Sequence, residues 1–310
     1  MPNAKQGEPD IGLDFLDMKL NNPFILASGI LGETADLLLS AFKAGAGAVV
    51  TKSIGLEPRD GHRNPTIYST PDGMMNAMGL PNPGIEDFKR EMDVLRKTDA
   101  VVIGSVFASK PNGFSILAKK MQDYGAAAVE LNLSCPHARG YGTEIGSTPA
   151  SVRRIVKSVA GSVSIPVLAK LTPNTSDICS LGLAAQEAGA KAVVAINTVK
   201  AMRIDPLIKR PVLANRYGGL SGSAVKPIGI RCVYELFEVL TIPIIGVGGI
   251  ATGLDAVEYI MAGATALQIG TAVQTRGVKV FSYLQDELKE FMRKENYGHL
   301  SEMRGIVHEP

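Results

Sequence analysis

Cys135 is the side chain in this sequence best able to do covalent or proton-transfer chemistry. It stands in the stretch Glu130-Leu-Asn-Leu-Ser-Cys-Pro-His-Ala-Arg-Gly-Tyr-Gly142, where apolar residues give way to polar ones. Ala126–Leu131 has the composition of a buried strand. The proline, His137, Arg139 and Gly-x-Gly pair that follow Cys135 have the composition of a loop. On residue type alone a single cysteine is a small buried apolar side chain. A thiol just past a strand end, with Asn132 and Ser134 beside it, instead matches where α/β enzymes put reacting groups. A free thiol has a pKa of ~8.5, and a nearby cation such as Lys52 raises the fraction present as the thiolate base. Lys52 and Lys170 also close apolar segments, as do Asn132, Asn197 and Thr198. Lysine balances negative charge, and asparagine presents a donor beside an acceptor, so the set suits a planar, polar, anionic ring.

Eight short apolar segments would position these groups: Phe24–Ala27, Ala48–Thr51, Ala100–Ile103, Ala126–Leu131, Pro166–Lys170, Ala192–Ile196, Pro243–Val247 and Ala264–Ile269. Continuous apolar runs, as opposed to alternating ones, mark parallel strands buried on both faces. A Gly-Ala step precedes four of them, at Ala44-Gly-Ala-Gly47, Tyr124-Gly-Ala126, Ala188-Gly-Ala190 and Ala262-Gly-Ala264. Glycine there suits the end of a helix, so a helix–strand unit repeats. Eight such units predict an α/β fold of the (β/α)8 TIM barrel type, with a doubly wound sheet as the rival. The expected organisation is one domain over 1–310, with a strand pair in 1–23 at the barrel bottom and a C-terminal helix and tail in 276–310. The long intervals from Lys52 to Asp99 and from Asn197 to Ile242 are expected to be inserted βα loops on the C-terminal face.

The first polar residues after each strand share that face. They are Ser28-Gly29, Lys52-Ser53, Gly104-Ser105, Asn132 with Cys135 beyond, Lys170, Asn197-Thr198, Gly246-Val-Gly-Gly249 and Gly270-Thr271. The last two are glycine-rich, and their backbone N–H groups, reinforced by the helix starting near Thr252, suit a phosphate. The Gly218-Gly-Leu-Ser-Gly222 loop is placed to close over it. Gly-x-Gly-Gly-Ile-Ala is a poor match to a dinucleotide fingerprint. Gly73-Met-Met-Asn-Ala-Met-Gly-Leu-Pro-Asn-Pro-Gly84 reads as a rigid loop whose amides, Asn76 and Asn82, project toward a flat ring. Arg59 and Arg63, with Asp60 and His62, read as a solvated face or an interaction edge.

Composition narrows the classes. A net charge of +2 gives no electrostatic footprint for nucleic acid. The three cysteines lack CxxC pairing and the four histidines are scattered, so no metal site is expected. Neither a signal segment nor a membrane-length apolar run is found, which predicts a cytoplasmic protein.

Taken together, Thr51-Lys-Ser53, Asn76-Ala-Met-Gly-Leu-Pro-Asn82, Asn132-Leu-Ser-Cys-Pro136, Asn197-Thr198, Gly246-Val-Gly-Gly249 and Gly270-Thr271 resemble, in order and spacing, the class 1 dihydroorotate dehydrogenases. The likeness runs from about Leu13 to about Thr275. It implies FMN bound at the C-terminal face by Ser28, Lys52, Ser53, Ser105, Asn132, Lys170, Ile196, Gly222, Gly248, Gly249, Gly270 and Thr271. It implies dihydroorotate or orotate held by Lys52, Asn76, Ala77, Met78, Gly79, Leu80, Asn132, Asn197 and Thr198, with Cys135 as general base and Lys52 assisting. The chain departs from many members in carrying His137 after the Cys-Pro and Ser105 where an asparagine often meets the flavin. Glu57-Pro-Arg-Asp-Gly61 resembles the class 1B branch, a catalytic subunit forming the homodimer core of a heterotetramer. That branch passes electrons to a partner carrying FAD and a 2Fe–2S cluster, then to NAD. The alternatives are a fumarate-using class 1A enzyme, a phosphate-site barrel without flavin, and a tRNA-dihydrouridine synthase-like flavoprotein.

Overall fold

The computed structural model describes residues 7–133 and 145–308. Cys135 and the rest of 134–144 lie outside the described residues. Eight parallel strands close into a barrel: β1 (Phe24–Leu26), β2 (Ala48–Val50), β3 (Val102–Val106), β4 (Ala128–Asn132), β5 (Val167–Lys170), β6 (Ala192–Ala195), β7 (Ile244–Val247) and β8 (Ala266–Ile269). Each pairs with the next in sequence, and β8 returns to β1 with Leu267 opposite Phe24. That closure excludes the doubly wound sheet.

The predicted segments are all strands, with one informative difference at the third. β3 runs on to Val106, so Gly104 and Ser105 lie within it and not beyond its end. The cause is the chain after β2, which stays alongside: Ile54 bridges to Val106. Its N–H donates to the Ser105 carbonyl at 2.9 Å, and Phe107 N–H donates to the Ile54 carbonyl at 3.1 Å.

The recurring Gly-Ala steps end helices in one way. Gly45, Gly125, Gly189 and Gly263 have φ of +106°, +96°, +101° and +117°. The next N–H in each case reaches back five residues, as Ala264 does to the Tyr259 carbonyl at 2.9 Å. This closure satisfies carbonyls left open at a helix end and turns the chain into the following strand. A Cβ at Gly263 would also fall 2.3 Å from the Phe237 ring. Gly263→Ala is therefore expected to lower the unfolding free energy by about 2–5 kcal/mol. Gly161 caps its helix at φ −79°, and a Cβ there would meet nothing closer than 3.4 Å. Gly161→Ala should thus change little, and equal denaturation midpoints for the two variants would contradict this account.

Strand residues alternate between two cores. Phe24, Leu26, Val49, Val129, Leu131 and Val193 face the surrounding helices, which present periodic apolar faces such as Ile85, Phe88, Met92 and Leu95. Ile25, Ala48, Val50, Ile103, Ala128, Leu168, Val194 and Ile245 fill the barrel interior, and Phe15, Met18 and Leu20 pack against them. Those three come from an antiparallel hairpin, Leu13–Phe15 with Met18–Leu20. The helix Val280–Glu295 buries Phe281, Leu284, Leu288 and Met292.

The two long insertions make a sheet of their own. Ile67–Thr70, Gly73–Asn76, Gly218–Ser221 and Val199–Ala201 are antiparallel neighbours in that order. Gly73–Asn76 and Gly218–Ser221 are therefore strands, where glycine-rich composition predicted loops. Their glycines serve close backbone approach: a Cβ at Gly73 would lie 1.9 Å from the Ser221 carbonyl oxygen, and one at Gly218 would lie 2.5 Å from that of Asn76. Gly218–Ser221 is thus pinned in a ladder. Among the described residues no helix is long and apolar enough to cross a membrane.

Candidate active site

The interior parity of the strands carries through to their C-terminal ends and turns polar there. In β4 the inward positions run Ala128, Glu130, Asn132; in β5, Leu168 and Lys170; in β8, Ala266 and Gln268. Glu130, Lys170 and Gln268 meet above the apolar floor and are all buried. Lys170 Nζ lies 3.4 Å from Glu130 Oε1 and donates to Gln268 Oε1 at 2.8 Å. Gln268 Nε2 donates to Glu130 Oε2 at 2.6 Å. Two charges taken this far out of water persist because they face each other and share a neutral amide as third partner.

Next to this trio, hydroxyls and amides link across four strand ends. Ser53 Oγ lies 2.9 Å from Ser105 Oγ and 3.3 Å from Ser28 Oγ, and it accepts from Asn132 Nδ2 at 3.0 Å. Asn197 Nδ2 donates to Asn132 Oδ1 at 3.4 Å, and Asn197 Oδ1 accepts from the Thr198 N–H at 2.7 Å. Lys52, whose side chain is 11% exposed, pairs with Glu33.

These groups surround one cavity of about 380 Å³ at the C-terminal mouth of the barrel, in the size range of small-molecule sites. Ser28, Lys52, Ser53, Asn132, Lys170 and Ile196 line it. So do Asn197 and Thr198, together with Asn76, Met78, Gly79 and Leu80 from the insertion sheet and its loop. Gly222, Gly248, Gly249, Gly270 and Thr271 also line it and sit together: a Cβ on Gly249 would lie 2.7 Å from the Gly222 carbonyl oxygen, and Thr271 Oγ1 donates to Ser221 Oγ at 2.7 Å. Two predicted residues do not reach the cavity. Ser105 is buried inside β3 behind Ser53, which it orients, because the strand continues past it. Ala77 is fully buried in the core beneath the insertion sheet, with Met75 and Leu213.

At the glycine end, a Cβ on Gly270 would have no neighbour nearer than 3.7 Å, so glycine there leaves open space. The helix Gly253–Met261 does not reinforce this end as its position in sequence suggested. Two of its first donors are consumed within the protein: Gly253 N–H by Glu287 at 2.6 Å and Asp255 N–H by the Thr252 hydroxyl at 3.2 Å. Asp255 in turn accepts from the N–H groups of Ala251 and Thr252, at 2.9 and 2.8 Å, and from Lys226 at 2.7 Å. Burial works against the Asp255 carboxylate, but the Lys226 ammonium and those N–H groups outweigh it and hold the carboxyl below its usual range.

In the segment read as a solvated face or an interaction edge, Asp60 and Arg63 are exposed, whereas Arg59 and His62 are half-buried and bonded inward. Arg59 Nε donates to the Gly79 carbonyl at 2.6 Å, while His62 donates through its N–H to Met78 at 2.9 Å and through Nδ1 to Ala77 at 3.1 Å. Both residues clamp the loop that lines the cavity. Asn82 does not project toward a ring: its side chain accepts from Gly55 and Gly84 N–H, at 3.1 and 2.9 Å, and donates to the Leu80 carbonyl at 2.9 Å. Sequence reasoning passed over Glu33, Glu130 and Gln268. Gln268, a single polar residue inside Ala266-Leu-Gln-Ile269, carried a usable signal, since it shares the inward parity of Ala266. The other two thiols are far less suited to chemistry: burial pushes Cys232 up to about 11 and raises Cys179, with Glu235 adding to it.

Comparison with known proteins gives a consistent family. The model of the family "Dihydroorotate dehydrogenase" matches residues 11–292. A protein of Pyrococcus abyssi named "Dihydroorotate dehydrogenase B (NAD(+)), catalytic subunit" is 52% identical over 299 residues, covering 95% of this chain and 98% of its own. Proteins of the same name are 48% identical in Methanocaldococcus jannaschii, covering 98% of this chain and 100% of theirs, and 50% identical in Thermoplasma acidophilum, covering 96% and 99%.

Proposed function

The chain belongs to the dihydroorotate dehydrogenase family, and we propose that it oxidises dihydroorotate to orotate as the FMN-bearing catalytic subunit of a cytoplasmic class 1B enzyme. The reaction is a step of de novo pyrimidine (UMP) biosynthesis. Electrons leave through a partner subunit carrying FAD and a 2Fe–2S cluster and end on NAD, with a homodimer of this chain at the core of the heterotetramer. The relatives' shared name, covering nearly the whole chain, supports this branch over the fumarate-using one.

The observation that carries the reading is the single cavity with two chemically different ends. FMN fits its donor set. Gly222, Gly248, Gly249, Gly270 and Thr271 offer backbone N–H groups to a phosphate, and the space beside Gly270 is one that a Cβ would invade. Ser28, Lys52, Ser53, Asn132, Lys170 and Ile196 line the part suited to a polar ring, with Ser105 holding Ser53 from behind.

When bound, FMN supplies the acceptor for the hydride that leaves C6 of dihydroorotate. The chain's own residues do the rest. Cys135 takes the proton from C5. Lys52 and the amides of Asn76, Asn132 and Asn197, with Thr198, hold the carboxylate and amide edges of the substrate and stabilise the enolate charge that develops as the proton leaves. Met78, Gly79 and Leu80 bound the ring from the insertion loop, over the buried Ala77. Anaerobic titration of the purified protein with dihydroorotate, followed by NAD and fumarate separately, tests the assignment. Dihydroorotate should bleach the yellow protein, and neither acceptor alone should restore the colour. Recolouring by fumarate would move the chain to the class 1A branch. A colourless protein that gains no yellow absorbance with FMN would return it to the phosphate-site barrels.

A further inference from the structure

We propose that Tyr259 is a positioning residue for the phosphate end of the site: its hydroxyl sets the peptide plane that turns the N–H of Gly249 into the cavity. The inference rests on the reading of that end as a phosphate site. Tyr259 lies in the helix Gly253–Met261 and is fully buried. Its hydroxyl donates to the carbonyl of Gly248 at 2.7 Å. A peptide unit is planar and trans, so its carbonyl and the following N–H point in opposite directions. The Gly248 carbonyl is drawn toward the helix layer behind β7, and the N–H of Gly249, on the same peptide, therefore points toward the cavity that both glycines line.

The surroundings are built around this one hydroxyl. A Cβ on Gly229, in the helix Lys226–Val239, would sit 1.9 Å from the Tyr259 oxygen. One on Gly246 would sit 2.6 Å from the ring, and one on Gly248 would sit 3.2 Å from the oxygen. Three glycines, one in a helix, one in β7 and one just past its end, thus give the phenol its place. The free backbone of Gly248 and Gly249, at φ of +133° and +73°, has few restraints of its own. A hydrogen bond from a rigid, buried ring supplies the missing restraint. Burial, and after it the nearby Cys232, push the phenol far above its ordinary range, so it stays a donor at working pH.

The test compares two probes on flavin-stripped protein, FMN and riboflavin, which differ only in the phosphate. Tyr259→Phe is expected to weaken FMN binding about tenfold while riboflavin affinity changes less than about twofold, since only a phosphate uses the Gly249 N–H. Gly229→Ala, which displaces the hydroxyl, should give the same selective loss. The double variant Tyr259→Phe/Gly229→Ala should be no worse than either single one, because the nearest remaining ring atom is 3.0 Å from the new Cβ. Equal losses for both probes would assign Tyr259 a purely structural role and overturn the proposal, as would unchanged FMN affinity in both single variants. Wild-type protein that binds no FMN would instead remove the phosphate reading on which the proposal rests.

Discussion

Lys170→Met is expected to destabilise the protein by about 3–5 kcal/mol, and most of that loss should return in Lys170→Met/Glu130→Gln. Glu130 has no exposed surface, and its two oxygens face Lys170 and Gln268. Removing the ammonium leaves a carboxylate in the barrel interior facing only the neutral amide of Gln268 among the contacts described above. Such a charge costs several kcal/mol to keep from water. Activity should behave differently. A buried pair of this kind is often no more stable than apolar residues of the same volume, so its presence points to use. The folded double variant should still lose about 10²–10³-fold in dihydroorotate turnover, because the cation at the cavity wall is gone. Urea denaturation and steady-state assays read both effects. A double variant no more stable than the single one would refute the pairing argument.

Cys135→Ala is expected to leave flavin binding intact and to slow anaerobic bleaching of the flavin by dihydroorotate by about 10²–10⁴-fold, the usual worth of a positioned base. Cys135 lies outside the described residues, so its role rests on the sequence. It follows in sequence the β4 end that delivers Asn132 to the cavity, and burial raises the other two thiols, Cys179 and Cys232, away from the thiolate form. Stopped-flow measurement separates the step from product release. Unchanged bleaching would remove Cys135 from the mechanism. Cys135→Ser, which keeps a proton acceptor of much lower acidity, should retain more of the rate at high pH than Cys135→Ala does.

Features set by neighbours in the chain could be read from the sequence. The eight strands were legible because segments buried on both faces read as unbroken apolar runs, and the turns into four of them because a left-handed helix end calls for glycine. Ser28, Lys52, Asn132, Lys170 and Gly249 were legible for the same reason, since the first polar residue after a parallel strand must emerge on the C-terminal face. The tertiary structure decided what depends on pairing across the barrel. Glu130 and Gln268 touch although 138 positions separate them, and only closure of β8 onto β1 fixes which inward residues share a layer. Ser105 was predicted at the cavity and is buried, because a neighbouring segment extended its strand. The insertions looked like loops and are sheet, since glycine serves close backbone contact as readily as a turn. The helix near Thr252 looked open to an anion, but Glu287 and Asp255 had already taken two donors at its start. A lone sequence gives the direction of a side chain relative to its own strand; what it meets there is set by partners whose register depends on the whole closed sheet.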